Sequence, residues 1–392
     1  MRCILVIVSF AFSSILLAQQ VRIGVFRDHA MKRLTFSYND GSYALLGDTN
    51  YFGSILPNEF ADLSFNNGKV ILRKGTIELG TFTKVYLIQN QPGTSLTLTP
   101  KQPSVKPRKY EDDFEVTATE KGLTVINLVD MDNYLAGVVE SEGGGGKHLE
   151  YYKVQAVMSR TYAFKYSSKH KSEGFDLCDR VHCQAYHNML RFTPLIDSAV
   201  RLTRHIVLCH KEDELTDSYF HANCGGQTCE PQYIWNGKVE YLKTFKDTFC
   251  IYTKQAKWEK RVPKQKWRDY LVRRYNYPVN DSVLSSLIYT FDQSERKAFY
   301  IHPALGIPLR DLREEFDLKS TFFSCYPDGD DVVIKGRGFG HGVGLCQEGA
   351  MKMARSGFGF DQILRFYFPG SRLLNRNELI YFGQSNESND LE

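Results

Sequence analysis

The chain has 392 residues, 42% of them apolar and 24% charged, which suits two or three globular domains and excludes extensive disorder. A formal net charge of +4, with the basic residues dispersed, argues against nucleic acid as a partner. It is compatible with an anionic cell-envelope polymer.

Arg2 and the apolar run Ile4 to Ala18 have the build of an export signal and are too short for a comfortable membrane span. Residues 1–18 are thus expected to be a signal peptide. The remainder is expected to be exported, periplasmic or extracellular, and associated with the cell envelope. Eight cysteines follow it, at 178, 183, 209, 224, 229, 250, 325 and 346, an even count that permits disulfides outside the cytoplasm.

Residues 19–122 read as a β-rich accessory region. Val21–Val25, Lys69–Arg73 and Lys84–Ile88 alternate, and Asn39-Asp40-Gly41, Asn66-Asn67-Gly68 and Gln91-Pro92-Gly93 mark turns between strands. The proline-rich stretch Pro100–Lys109 predicts a linker or exposed loop. From 123 to 370 the pattern becomes α+β. Leu123–Val129 predicts a strand, and Asp132-Asn133 caps a short helix that ends at the glycine run Gly143–Gly146. A stronger helix is predicted over about 148–168. Strands are predicted at His205–Leu208 and Asp217–Ala222, a helical insertion at about 255–315, a strand at Asp331–Lys335, and helices at Gln347–Ser356 and Asp361–Phe366. Residues 371–392 read as a tail, polar from Ser385.

Glycine occupies every second position from Gly336 to Gly344, a costly choice unless backbone must approach something closely. The spacing is not that of a phosphate loop. Glu142 sits at the mouth of the Gly143–Gly146 loop, where desolvation would raise its pKa as a general acid requires; Glu140 competes for that role, and the alternative for both is a solvated loop acid. Arg160 lies among small apolar residues, which implies an oxyanion or carboxylate to bind, or a snorkelling surface arginine. His170, Cys178, His182 and Cys183 cluster closely enough to bind zinc, with a Cys178–Cys183 disulfide as the alternative. The segment Asn223–Thr228 offers amides and polar side chains to a sugar or acyl group. Cys224 or Cys346, with His221 or His341 as base, forms a further candidate nucleophile.

Taken together, Tyr134–Glu142, Lys153–Ala163, Asp176–Asp179, His182–Tyr186, Asn223–Thr228, Leu318–Phe322 and the glycine ribbon through Ala350 resemble the SpoIID/LytB family of cell-wall proteins. The order and spacing agree from about 123 to 370. The resemblance implies a SpoIID-like core with a cleft and a lytic transglycosylase that cleaves between N-acetylmuramic acid and N-acetylglucosamine. The product would be a 1,6-anhydro sugar. Its substrate would be glycan strands, peptide-stripped ones in particular. The catalytic glutamate would be Glu142, with Arg160 as a second functional position. Substrate would be bound by Tyr134, Gln155, Asn223, Gly225, Gly226, Thr228, Lys243, Arg337, Gly338, His341 and Gln347. The chemistry needs no cofactor, but His170, Cys178 and Cys183 fit a structural or cleft-side zinc of the family. Other members modify an N-acetylmuramoyl-L-alanine amidase, so a non-catalytic wall-binding module with an amidase partner is the alternative. The chain departs from the family pattern where Gly143–Gly146 replaces a proline, and where Cys346 occupies a position often taken by serine.

Overall fold

The computed structural model describes residues 20–235 and 237–379. The expected signal peptide and the polar tail from Ser385 lie outside them. No helix among the described residues is long and apolar enough to cross a membrane. The chain divides into two compact units, with the boundary between Tyr134 and Leu135.

The first unit is built from twelve strands: β1 Gln20–Val25, β2 Arg33–Asp40, β3 Tyr43–Gly47, β4 Asn50–Ile55, β5 Phe60–Asn66, β6 Lys69–Lys74, β7 Ile77–Phe82, β8 Lys84–Gln89, β9 Ser95–Gln102, β10 Arg108–Glu111, β11 Asp113–Thr119 and β12 Gly122–Asp130. One sheet runs β1-β12-β11-β8-β3-β4 and the other β10-β9-β2-β5-β6-β7. Alternate residues such as Leu34, Phe36, Leu63, Leu72, Leu87, Leu98 and Val116 are fully buried. Phe36 of one sheet meets Phe114 of the other edge-on at 5.3 Å, so the two inner faces form one core. Each such side chain contributes roughly 1.5–3 kcal/mol by leaving water.

Two expectations change here. Leu123–Val129 is not the start of the second unit, because β12 pairs in antiparallel register with both β1 and β11. Pro100–Lys109 is not a linker: β9 and β10 form a hairpin, with Arg108 opposite Leu98, and the exposed loop is confined to 103–107 between them.

The second unit is α+β. Its elements are the helices α1 Met131–Gly143, which carries the boundary, and α2 Leu149–Lys165, then β13 Leu177–Cys178, α3 Pro194–Leu202, β14 Ile206–Cys209, β15 Phe220–His221, β16 Lys257–Pro263, α4 Lys264–Tyr275, α5 Leu284–Leu287, α6 Leu309–Glu315, β17 Phe323–Asp328, β18 Asp331–Arg337, β19 Leu345–Cys346, α7 Gln347–Arg355, α8 Phe360–Tyr367 and β20 Arg372–Asn375. Helix α2 begins where the His148 ring accepts the Glu150 N–H, and it is buried on nearly all sides against α3, α7, α8 and β14. A helix with so little exposed surface is a central element, which its run of Val154, Ala156, Val157, Met158 and Ala163 permits. The tail expected from 371 opens as β20, paired antiparallel with β14. The expected helical insertion also holds β16, which joins β18 and β17 in a three-stranded sheet over its own core of Trp258, Trp267, Tyr300 and Phe316.

The glycine ribbon approaches another part of the same chain. Phe339 exchanges both main-chain hydrogen bonds with Asn223, at 3.0 and 2.8 Å. A Cβ on Gly338, whose φ is +78°, would stand 2.5 Å from the Asn223 carbonyl oxygen. One on Gly344, at φ +71°, would stand 2.2 Å from the Tyr219 carbonyl oxygen. The alternation is thus a requirement of laying the ribbon on residues 219–225, with β15 and β19 pairing in parallel beyond it.

Candidate active-site cleft

A cleft of about 640 Å³ opens in the second unit, lined among others by Glu142, Tyr162, Tyr166, Lys169, His182, Cys183, Tyr219, Trp235 and His341. Glu142 belongs to the last turn of α1 rather than to the loop after it, because the helix runs on to Gly143. Gly144, at φ +62°, then turns the chain away. Glu142 is half-buried and is the one carboxyl group among the residues lining the cleft. Burial raises its pKa above the usual carboxylate range, and the Ala185 N–H, at 2.8 Å from Oε1, offsets this in part. The carbonyl end of α1 also disfavours a negative charge there. Glu140, the competitor, accepts the N–H groups of Arg191 and Phe192 at 2.9 Å and so holds the chain leading to α3.

The cleft is aromatic. Trp235 is exposed and lies 4.9 Å from the Tyr219 ring and 5.1 Å from that of His341. The rings of Tyr162 and Tyr166 are 4.6 Å apart, as their spacing of four along α2 dictates. Such faces suit the apolar faces of sugar rings. Both nitrogens of His341 are occupied: Nε2–H donates to the Phe220 carbonyl at 2.9 Å, and Nδ1 accepts the Val343 N–H at 3.0 Å. Burial lowers its pKa to about 4, so at neutral pH it is an uncharged wall of fixed tautomer. Lys169 is the one lysine or arginine among the lining residues, and its Nζ lies 3.2 Å from the Tyr162 hydroxyl and 2.5 Å from the His182 carbonyl.

At the cleft's edge the ligand atoms of His170, Cys178, His182 and Cys183 all lie within 4.8 Å of one another. Cys183 Sγ is 3.4 Å from His170 Nε2, and Cys178 Sγ is 3.9 Å from His182 Nδ1. His170 Nδ1 lies 2.6 Å from Glu173 Oε1, which directs the Nε2 lone pair at the cluster, an arrangement common behind metal-bound histidines. Contact with Cys183 holds the Cys178 thiol down, to about 5, and pushes that of Cys183 up. Two imidazoles and two thiols in this arrangement fit tetrahedral zinc. All eight cysteines among the described residues stand as free thiols. His182, part of the sequence cluster, stands with the three residues that the resemblance implied as ligands. Its place beside Cys183 and four residues from Cys178 is the sequence signal for it.

Several expected site residues do other work. Arg160 is buried at 1% exposure, and its guanidinium donates to the carbonyls of Val200, Thr203 and Ile206 at 2.7–3.3 Å. It holds the end of α3 and the start of β14, and it is not among the residues lining the cleft. Asn223 and Thr228 are fully buried: the Asn223 amide donates to Cys250 O, Thr253 Oγ1 and Glu348 Oε2, and Thr228 Oγ1 donates to Lys243 O. Their polar groups serve the fold, not a ligand. Gly225 and Gly226 give the close approach to Arg337 and Ile251, and Gly338 that to Asn223. Arg337 lies over Phe322 at 3.6 Å, donates to Gln293 O at 2.6 Å and lines a different depression. Lys243 is exposed away from the cleft lining, and Tyr134 is fully buried. Gln155 is fully buried with neither end of its amide partnered among the described residues. Gln347 opens α7, outside the cleft lining. Of the expected substrate-binding residues, His341 alone lines the cleft. Cys224 and Cys346 are buried, and His221 donates from Nδ1 to Val343 O at 3.1 Å, an arrangement that supplies no exposed thiol nucleophile. The cleft residues not foreseen are Tyr162, Tyr166, Lys169, Tyr219 and Trp235. An exposed tryptophan in the polar turn after Pro231 is the one local signal among them.

A family profile described as "Stage II sporulation protein" (SpoIID) matches residues 119–210, which include Glu142 and all four residues of the zinc-type cluster. The chain is 26% identical to "Stage II sporulation protein D" of Bacillus subtilis, over 63% of this chain and 75% of the relative. It is 23% identical to "Amidase enhancer" of the same organism, over 88% of this chain but 56% of the relative. It is also 27% identical to an uncharacterized protein of Brachyspira hyodysenteriae, over 77% of this chain and 80% of that one. The chain thus carries a SpoIID-type segment and is similar to proteins of the SpoIID/LytB family over most of its length. Within this SpoIID-type chain, the matched segment supplies Glu142, α2 and the His170–Cys183 cluster. The wall bearing Trp235 and His341 comes from later in the sequence.

Proposed function

We propose that this chain is an exported peptidoglycan lytic transglycosylase, with Glu142 as its single acid/base. The family similarity supports a cell-wall-related role. The observation that carries the finer reading is the solitary, half-buried carboxyl of Glu142 in an aromatic cleft. A hydrolase of the common type needs two carboxyl groups, one of them to activate water or attack the sugar. A transglycosylase needs one. The protonated Glu142 gives its proton to the glycosidic oxygen as the bond to the muramyl C1 breaks. Its carboxylate then takes the proton from the muramyl 6-hydroxyl as that oxygen bonds to C1. The glutamic acid is restored, and the product ends in 1,6-anhydromuramic acid. Burial keeps the acid form available near neutral pH, and the Ala185 N–H aims the carboxyl.

Trp235 and Tyr219 would stack on the sugar faces. Lys169 would pair with the lactyl carboxylate exposed when a stem peptide is removed, which favours stripped strands. His170, Cys178, His182 and Cys183 would hold zinc. Four protein ligands leave no open position, so the ion would supply rigidity to the loop that carries Ala185, not an activated water.

The second reading, a non-catalytic modifier of a wall amidase, is favoured by the similarity to the amidase enhancer over 88% of this chain. Incubation of the protein with bare glycan strands and with intact muropeptides separates the two. The transglycosylase reading predicts anhydromuramyl ends with the wild type and none with Glu142→Gln. Glycan binding without cleavage by the wild type would establish the modifier reading.

A further inference from the structure

Beneath the far wall of the cleft, Cys224, Asp247, Cys250 and Cys346 converge. All four are fully buried, and their ligand atoms lie within 4.8 Å of one another. Cys224 Sγ is 3.3 Å from Cys250 Sγ and 3.2 Å from Asp247 Oδ2. A tetrahedral ion with sulfur bonds of about 2.3 Å sets its ligand atoms roughly 3.8 Å apart, so this grouping needs only small shifts to receive one. We propose that these residues form a second metal site of the protein, a Cys3Asp site for zinc or a similar thiophilic divalent ion. It is distinct from the cluster at the cleft's edge and stands apart from the transglycosylase reading.

The surroundings are built for anionic ligands. The Cys346 sulfur caps α7, accepting the Gly349 N–H at 3.4 Å and the Cys224 N–H at 3.3 Å. Asp247 accepts the Phe249 N–H on Oδ1 at 3.0 Å and the Tyr367 hydroxyl on Oδ2 at 2.9 Å. The buried guanidinium of Arg296 donates to the Cys224 carbonyl at 2.8 Å, placing a positive charge beside a site that would carry net negative charge. Such outer contacts orient and charge-balance metal ligands. A buried carboxylate among three thiols is otherwise a costly choice. On binding, each thiol gives up its proton to solvent as its sulfur bonds to the ion. The ion would tie the turn after β15 to the turn at 247–250 and the start of α7, the scaffold behind the wall of the cleft.

The test is elemental analysis of the purified full chain after loading with zinc and removal of free metal. Two equivalents per chain are expected, one for each cluster. Cys178→Ser should retain the buried equivalent, and Cys346→Ser should retain the cleft-edge one. Serine at 346 can still cap α7, which separates loss of metal from failure to fold. In the cobalt-loaded wild type, the sulfur-to-cobalt charge-transfer absorption should correspond to the two thiolates of one cluster and the three of the other. A single equivalent lost entirely in Cys178→Ser, cobalt absorption from only two thiolates, or a Cys224–Cys250 disulfide in peptides mapped without reduction would each overturn the proposal.

Discussion

Glu142 combines a raised pKa with a single directed hydrogen bond, and both have measurable consequences. Its proton is held to higher pH in the folded chain than in the unfolded one. Between those two values the folded state binds more protons, so its stability falls as pH rises through that window. Glu142→Gln, which can still accept from Ala185, should therefore melt at higher temperature than the wild type at neutral pH. The gap should close once the pH drops below the ordinary carboxyl range, as calorimetry at several pH values would record. Activity should decline over the same rise in pH, because the acid form is the one that protonates the leaving oxygen. Across the cleft, Trp235→Ala should raise KM roughly tenfold, the loss of about 1.4 kcal/mol of stacking, with little change in kcat. Lys169→Gln should weaken binding of peptide-stripped strands more than that of intact ones, and added salt should reduce the difference. Binding measured on both substrates at two ionic strengths checks this.

At the level of elements, Arg160 and the glycine ribbon show why residue type alone misplaced several side chains. An arginine among valines and alanines needs partners, and the sequence reading anticipated a carboxylate or ligand. The partners named here are carbonyls at the end of α3 and in the turn to β14, residues some forty positions away. Arg160→Ala should cost about 3 kcal/mol of stability through unpaired buried carbonyls. Denaturant unfolding would show this, while activity per folded molecule should change far less. Gly338→Ala should cost on the order of 2 kcal/mol, because its φ is left-handed and its Cβ would meet Asn223 O. The helices α2, α7 and α8 were legible in the sequence, and so were β1, β6 and β8 from their alternation; most of the other strands were not. Asn223 and Thr228 were misread as ligand-facing, because a polar residue in a glycine-rich segment looks the same whether it faces a ligand or its own backbone.

For the whole molecule, the α+β class, the β-rich first region and the place of Glu142 beside a cleft could be read from the chain. The extent of the first unit could not, since β12 resembles the opening strand of whatever follows it until its pairing with β1 is seen. The far wall of the cleft was equally hidden. Trp235, Tyr219 and His341 come together only when the ribbon lies on residues 219–225, as do Cys224 and Cys346, 122 positions apart. Among the described residues that line the cleft, the one carboxyl group is that of Glu142. The most direct test of that account is digestion of bare glycan strands in water enriched in heavy oxygen, with the new muramyl ends weighed by mass spectrometry. An intramolecular attack by the 6-hydroxyl predicts anhydro ends that contain no heavy oxygen. Reducing ends that carry it would mean that water is the nucleophile and would contradict a single-carboxyl transglycosylase.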